Sequence, residues 1–168
     1  MDIADFSFNK DAVSLGDTHL NIAVRKLNVA IRIGLRAVVF TASNANWGMV
    51  SDLVSVFDQI SGIVCDIVGA IPESQETTLA LHVSLDTVEF PAITASFVNK
   101  ALLGDALFYG ISLHRSDSTL VIDKSLRYEG AAFVRLQRRF AGETPFGQIA
   151  SRLYEDELVA LRLLGVTV

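Results

Sequence analysis

The pattern of apolar and polar positions is clearest in residues 48–70. Apolar side chains recur there every three or four residues, and the opposite half of a helical wheel holds Ser51, Asp52, Ser55, Asp58, Gln59, Gly62 and Asp66. This spacing is typical of an amphipathic helix. The polar stretch 41–46 and Gly69 mark where such a helix begins and ends. Its apolar face holds Met49, Leu53, Val56, Phe57, Ile60, Ile63, Val64 and Ile67.

Residues 20–33 repeat a seven-residue word, LNIAVRK followed by LNVAIRI. On a helix, the word keeps leucine, alanine and β-branched residues on one side and asparagine and arginine on the other. On a strand, the alternation changes phase at Arg25 and Lys26, where neither Gly nor Asn is present to form a turn. Helix and strand both stay open for 18–41. The spacing favours a helix. It would pack on the amphipathic helix predicted over 48–70 and form a helical hairpin over 17–70.

After residue 72 the apolar period shortens to two, which is typical of strands. Leu79, Leu81 and Val83 alternate with small or polar residues and predict a half-buried strand that runs on toward Phe90. A β-hairpin is predicted further along, because two alternating runs flank the turn-forming residues Arg115-Ser116-Asp117-Ser118. The two runs of that hairpin are 107–114 and 119–127.

The remaining segments complete a mixed fold. Residues 92–103 return to helical spacing, whereas 131–140 are compatible with either a third strand or a helix. A cap and proline at the start of 144–165 predict a last helix. The expected fold class is α+β, in a single domain over 1–168. It comprises an N-terminal helical hairpin, whose first element is alternatively a long strand, a small antiparallel sheet within 77–140 with one intervening helix, and the C-terminal helix.

The composition suggests a partner that covers apolar surface. Hydrophobic residues make up 51% of the chain, and the mean hydropathy is +0.41. This is a high fraction for a small soluble domain, many of whose residues must face water. We therefore expect a homo-oligomer, most simply a dimer, and a protein partner. The net charge of −5 argues against a nucleic-acid partner, because the chain as a whole repels polyanions.

The setting expected from the sequence is the cytoplasm. The single Cys65 cannot form an intramolecular disulfide, and no leader-like segment stands out at the start of the chain. Charged residues interrupt the most apolar windows at helical intervals, which argues against a membrane partner. In size, acidity and mixture of elements the chain resembles bacterial secretion chaperones and toxin-neutralising immunity proteins, although no motif carries residues over from either family.

Motifs that would indicate catalysis are missing from the sequence. It holds no GxSxG, no GxxxxGK[ST] and no GxGxxG, and its three histidines lack the local spacing of metal ligands. No catalytic residue, metal or cofactor is therefore expected, and an enzyme is the less favoured class. The alternative kept open is an unsignalled pocket beside His82 or His114.

Arginines are the remaining candidates for binding. Stacked guanidinium groups can hold phosphate or carboxylate groups in pairs of hydrogen bonds. The favoured interpretation is that the arginines form a solvated face or pair with acidic residues. The alternative is that they bind an anion or a nucleic acid. The leading hypothesis is a non-enzymatic protein-interaction module that acts as an adaptor, chaperone-like or immunity-like protein. The candidate binding residues are Arg25, Arg32, Arg36, Arg135, Arg138 and Arg139.

Overall fold

The computed structural model describes residues 18–85 and 110–166, together with the backbone of 5–8. Short 3-10 turns at Arg25–Leu27 and Trp47–Met49 precede β3 and α1. The strands and helices are β1 Asp5–Phe8, β2 His19–Val24, β3 Val29–Gly34, β4 Val38–Ala42, α1 Val50–Val68, β5 Ser74–Ser84, β6 Gly110–His114, β7 Ser118–Lys124, β8 Ala131–Ala141 and α2 Phe146–Leu163.

The predicted N-terminal helical hairpin over 17–70 is wrong, because its first half is an antiparallel sheet. The alternative of a strand at 18–41 is closer, but three strands replace the single long one. The change of phase at Arg25 is absorbed by a 3-10 turn that ends at Asn28, whose φ of 52° is left-handed. Asparagine tolerates this conformation better than other residues with a Cβ. Its side-chain Nδ2 donates to the Ser43 carbonyl at 2.7 Å and fixes the turn.

The first compact unit contains residues 1–71 and 145–150. Its sheet has the order β1-β2-β3-β4, and every neighbouring pair is antiparallel. Alternate residues of β2 and β3 are buried, as a sheet with one covered face requires. They pack with α1 in one core that contains Ile22, Val24, Leu27, Val29, Ile31, Leu53, Val56 and Ile60.

Helix α1 confirms the amphipathic helix predicted over 48–70. Its last turn ends at Gly69, where φ is 69° and the N–H donates to the Cys65 carbonyl at 2.8 Å. A glycine adopts this left-handed conformation without a Cβ penalty, so the helix stops there. Only the first part of the apolar face is buried, and Ile60 is the last buried residue of the helix.

The second compact unit contains residues 72–144 and 151–168. Its antiparallel sheet has the order β5-β8-β7-β6, and the β5–β8 register runs without a break from Ser74↔Ala141 to Ser84↔Ala131. One face of this sheet packs with residues of α2. The buried core residues of the unit are Val83, Leu120, Ile122, Ala132, Val134, Leu136, Ala160 and Leu164.

Most predictions after residue 72 agree with the structure. The strand beginning near Leu79 is confirmed as part of β5, and the hairpin is observed as β6 and β7. Residues 131–140, left open between strand and helix, form a strand. The C-terminal helix predicted over 144–165 is α2, and the coarse α+β mixture holds. The helix predicted at 92–103 lies outside the described residues.

Candidate interaction surfaces

The three N-terminal arginines lie along a β-hairpin and not on one face of a helix. Arg25 is in the turn before β3, Arg32 is within β3, and Arg36 is in the turn after it. All three are exposed. The two turns are at opposite ends of β3, which puts them about 20 Å apart at about 3.3 Å per residue. The structure therefore does not bring these residues together as one binding site.

The three arginines of β8 divide between the two faces of the second sheet. Arg135 and Arg139 are exposed, whereas Arg138 is only 5% exposed. Strand alternation explains the division, because Arg138 shares its parity with the buried Val134 and Leu136. The Arg135 and Arg139 side chains have no ion-pair partner within the described part of the chain. Only these two of the β8 arginines are available to a ligand.

Two carboxylates hold the buried Arg138. Its Nε donates to Asp156 Oδ2 at 2.7 Å and its Nη2 donates to Asp156 Oδ1 at 2.9 Å, so the pair is bidentate. Its Nη1 donates to the Asp117 carboxylate. Asp156 belongs to α2 and Asp117 to the turn between β6 and β7. The guanidinium thus links a strand, a helix and a turn, and it is not free to bind an external anion.

Arg138 and Asp117 stay ionised around neutral pH. The hydrogen bond to Asp156 raises the pKa of Arg138, against the opposing effect of burial. Desolvation alone would raise the pKa of Asp117, but the Arg138 charge and the Ser118 hydroxyl together lower it. A lowered folded-state pKa stabilises the fold above the unfolded value of about 3.9. That contribution is lost as the pH falls through the lower folded value.

His114 belongs to the β6–β7 hairpin. Its ring nitrogens lie 3.0 Å from the Ser112 hydroxyl and 3.3 Å from the Thr119 hydroxyl. The following residues form the turn, in which the Arg115 N–H donates to the Ser118 carbonyl at 2.8 Å. Both ring nitrogens of His114 are therefore engaged within the hairpin.

His82 is held in place by Ser125. The Ser125 hydroxyl accepts the backbone N–H groups of Arg127 at 3.2 Å and Tyr128 at 2.9 Å. Both acceptor positions of that oxygen are then used, so its own O–H is left to donate to His82 Nδ1, 2.9 Å away. The proton of a neutral His82 ring is thereby assigned to Nε2. The ring also contacts Tyr128 and Phe133, with centroids 4.9 and 5.1 Å apart.

Neither histidine lines the two best-formed depressions of the described surface. Those depressions hold about 180 and 200 Å³ and lie on the first sheet, one beside Arg25 and the other beside Arg32. Small-molecule sites usually occupy about 300–1,000 Å³. Within 18–85 and 110–166, no group of three or more His, Cys, Asp or Glu side chains could hold a metal ion.

Large apolar side chains are exposed where α1 extends past its core. Ile67 is 79% exposed, and Ile63, Val68 and Ile71 are each more than 50% exposed. We call this set the apolar end of α1; it consists of Ile63, Ile67, Val68 and Ile71. The sequence pattern placed Ile63 and Ile67 on the buried face, because it could not show that Ile60 is the last buried residue of the helix.

The same segment satisfies the length and composition of a membrane-spanning helix. Among the described residues, Trp47–Val68 is 22 residues long with a mean hydropathy of 1.3 in its most apolar window, and 17% of that window is buried. The absence of a membrane partner stays a prediction.

Comparisons with known proteins identify no relative of this chain. No protein-family model, no curated protein and no solved structure matches this chain. Function is therefore inferred from the surfaces of the chain alone.

Proposed function

We propose that this chain is a non-enzymatic protein-interaction module that self-associates and binds a protein partner. The observation that supports the proposal is the apolar end of α1. Exposed apolar side chains that lie together mark interaction sites far more often than isolated ones do. An adaptor, chaperone-like or immunity-like role would use such a surface.

The energy available at this surface is large enough to matter. Full burial of one Val or Ile side chain contributes about 1.5–3 kcal/mol, and the apolar end of α1 supplies several of them next to one another. Part of that gain is offset by the entropy lost on association. We place the module in the cytoplasm, where its free, half-buried Cys65 would stay reduced.

The partner-binding proposal is tested by replacing Ile67 with aspartate. A charge at this position would have to be desolvated in the complex, so we expect the variant to lose its partner. Wild-type and Ile67→Asp proteins carrying the same affinity tag are used to recover bound proteins from an extract of the native host. We expect a protein recovered with the wild type to fall at least tenfold with the variant.

Leu126→Asp is the matched control, because Leu126 is also fully exposed but lies in the β7–β8 turn. It should retain the partner at the wild-type level. Equal recovery by all three proteins would contradict the proposal.

Sedimentation with phosphatidylcholine–phosphatidylglycerol vesicles provides a second readout. Vesicle binding that Ile67→Asp abolishes would assign the surface to a membrane and overturn the protein-partner proposal.

Anion or nucleic-acid binding is the second candidate, and the exposed pair on β8 favours it. Arg135 and Arg139 lie on the same face of one strand, four residues and so about 13 Å apart. Gln137 lies between them on that face, and Thr119 is its cross-strand neighbour on β7. A single strand of nucleic acid could contact both guanidinium groups through its phosphates.

A fluorescent single-stranded oligonucleotide tests this candidate by anisotropy across a range of salt concentrations. If it is correct, Arg135→Ala and Arg139→Ala should each reduce the slope of log Kobs against log salt by about 0.7. Arg32→Ala removes one exposed arginine of the first sheet and serves as the control for net charge. No binding at low salt, or equal effects of all three changes, would remove the candidate.

A further inference from the structure

We propose that β5 is a dimerisation edge, at which Ser74–Ser84 pairs antiparallel with the β5 strand of a second copy, centred on Leu79. The inference rests on the self-association in the proposed function and names the surface responsible for it. It leaves the apolar end of α1 to the other partner.

Strand β5 is at one edge of the second sheet. It pairs with β8 on one side, and among the described residues no strand lies on its other side. Alternate backbone N–H and C=O groups of an edge strand point away from its sheet and can pair with another chain. At 11 residues, β5 is long enough to form a substantial new ladder.

Several features that usually protect an edge are missing from β5. Natural edge strands avoid pairing by being short, by carrying proline or lysine, or by containing a bulge. The sequence SQETTLALHVS has no proline, lysine or glycine, and its register with β8 is continuous. At the opposite edge of the same sheet, β6 has five residues. In the first sheet the edge strands β1 and β4 have four and five.

A two-fold pairing of β5 is self-complementary in one register. Residues directly opposite each other in an antiparallel pair share a face, so one residue must oppose its own copy. Centring on Leu79 pairs all 11 residues of both strands, from Ser74 to Ser84. That register also places Glu76 opposite His82 of the second copy, twice. Centres at Thr78 or Ala80 shorten the ladder and lose both Glu76–His82 pairs.

His82 is already prepared for this contact. Ser125 holds its Nδ1, so Nε2–H is the group left to donate to a carboxylate. Glu76 has no ion-pair partner within the described part of the chain, although Arg139 is its register neighbour on β8. In the dimer, Glu76 would lie between Arg139 of its own chain and His82 of the second copy.

The opposite face of β5 gains apolar contacts in the same register. Leu79 and Leu81 pack against the core of the second unit but are only half-buried. Leu79 would oppose its own copy, and Leu81 would oppose Thr77 of the second copy. The two cores would then be continuous across the dimer axis.

Disulfide trapping tests the register directly. In a Cys65→Ser background, Leu79→Cys brings two cysteines opposite each other, with Cα atoms about 4.5–5.5 Å apart, which suits a disulfide. Leu81→Cys is the matched control, because its two copies would be about 14 Å apart at about 3.4 Å per residue. We expect mild oxidation to trap most of the Leu79→Cys protein as dimer and little of the control.

A second pair of variants tests the same register if Leu79→Cys does not fold. Thr78 and Ala80 are exposed and oppose each other across the proposed axis. A mixture of tagged Thr78→Cys and untagged Ala80→Cys chains should therefore yield mixed disulfide dimers. Trapping that is equal at all positions, or strongest at Leu81→Cys, would overturn the register.

Light scattering separates this proposal from the one for α1. The wild type should be a dimer at micromolar concentration, and Glu76→Lys should weaken it about tenfold, because it removes the carboxylate acceptor from both Glu76–His82 hydrogen bonds. Ile67→Asp should leave the dimer unchanged while it loses the other partner. A monomeric wild type, or a dimer that only Ile67→Asp disrupts, would overturn the β5 interface.

Discussion

Replacing Asp156 with alanine is expected to lower the free energy of unfolding by about 3–5 kcal/mol. The change leaves the Arg138 guanidinium charged inside the second unit, where only 5% of its surface is exposed. It removes two of the three hydrogen bonds that hold the group. Asp117 remains, but its side chain is 51% exposed, so it replaces little of the lost interaction. The retained contact favours the lower end of the range.

Urea denaturation followed by circular dichroism measures this loss. Glu155→Ala is the control, because Glu155 pairs with Arg152 at an exposed site and such pairs contribute about 0–1 kcal/mol. The double variant Arg138→Met, Asp156→Leu removes the buried charge together with its partner. It should lose less stability than Asp156→Ala alone. Asp156→Ala behaving like Glu155→Ala would show that Arg138 is not held as the structure places it.

The local environment of Arg138 could be predicted from the sequence only in part. Its parity with Val134 and Leu136 places it on the apolar face once 131–140 is assigned as a strand. Grouping it by charge with Arg135 and Arg139 concealed that parity. Its partner Asp156 is 18 residues away and on another element, and no local pattern indicates such a pairing.

Local periodicity was also insufficient to decide between helix and strand for the repeated word of residues 20–33. Its β-branched residues keep a face on a helix, so the helical interpretation was consistent with every position. The same letters are also a palindrome: Ile22-Ala23-Val24 is followed, after a turn, by the reverse order. Pairing Ile22↔Ile31 and Val24↔Val29 brings like side chains together across an antiparallel hairpin. The deciding signal was Asn28, which accepts the left-handed turn that the sequence interpretation had considered absent.

The candidate surfaces were harder to predict than the elements. Apolar content could not show which large side chains are exposed. Which side chains of α1 are buried depends on how far the first sheet extends along the helix. The sequence of the helix itself does not show this. The β5 edge was equally hidden, because strand order in a sheet is set by contacts between distant parts of the chain.

Ile31→Ala is the second change with a large expected effect. Ile31 is 1% exposed and is paired with Ile22 and Phe40 on the neighbouring strands. Truncation there should leave a cavity in the core of the first unit and cost about 2–5 kcal/mol. Urea denaturation again provides the measurement.

Ala30→Lys distinguishes the two interpretations of the word, because they place Ala30 in opposite environments. In a helical hairpin Ala30 would lie where the second helix packs closest, and a lysine there would cost about 1–3 kcal/mol or more. In the sheet Ala30 is exposed on β3, so the change should stay within about 0.5 kcal/mol. A severe loss at Ala30 would mean that the helical interpretation was correct and that the first sheet does not form.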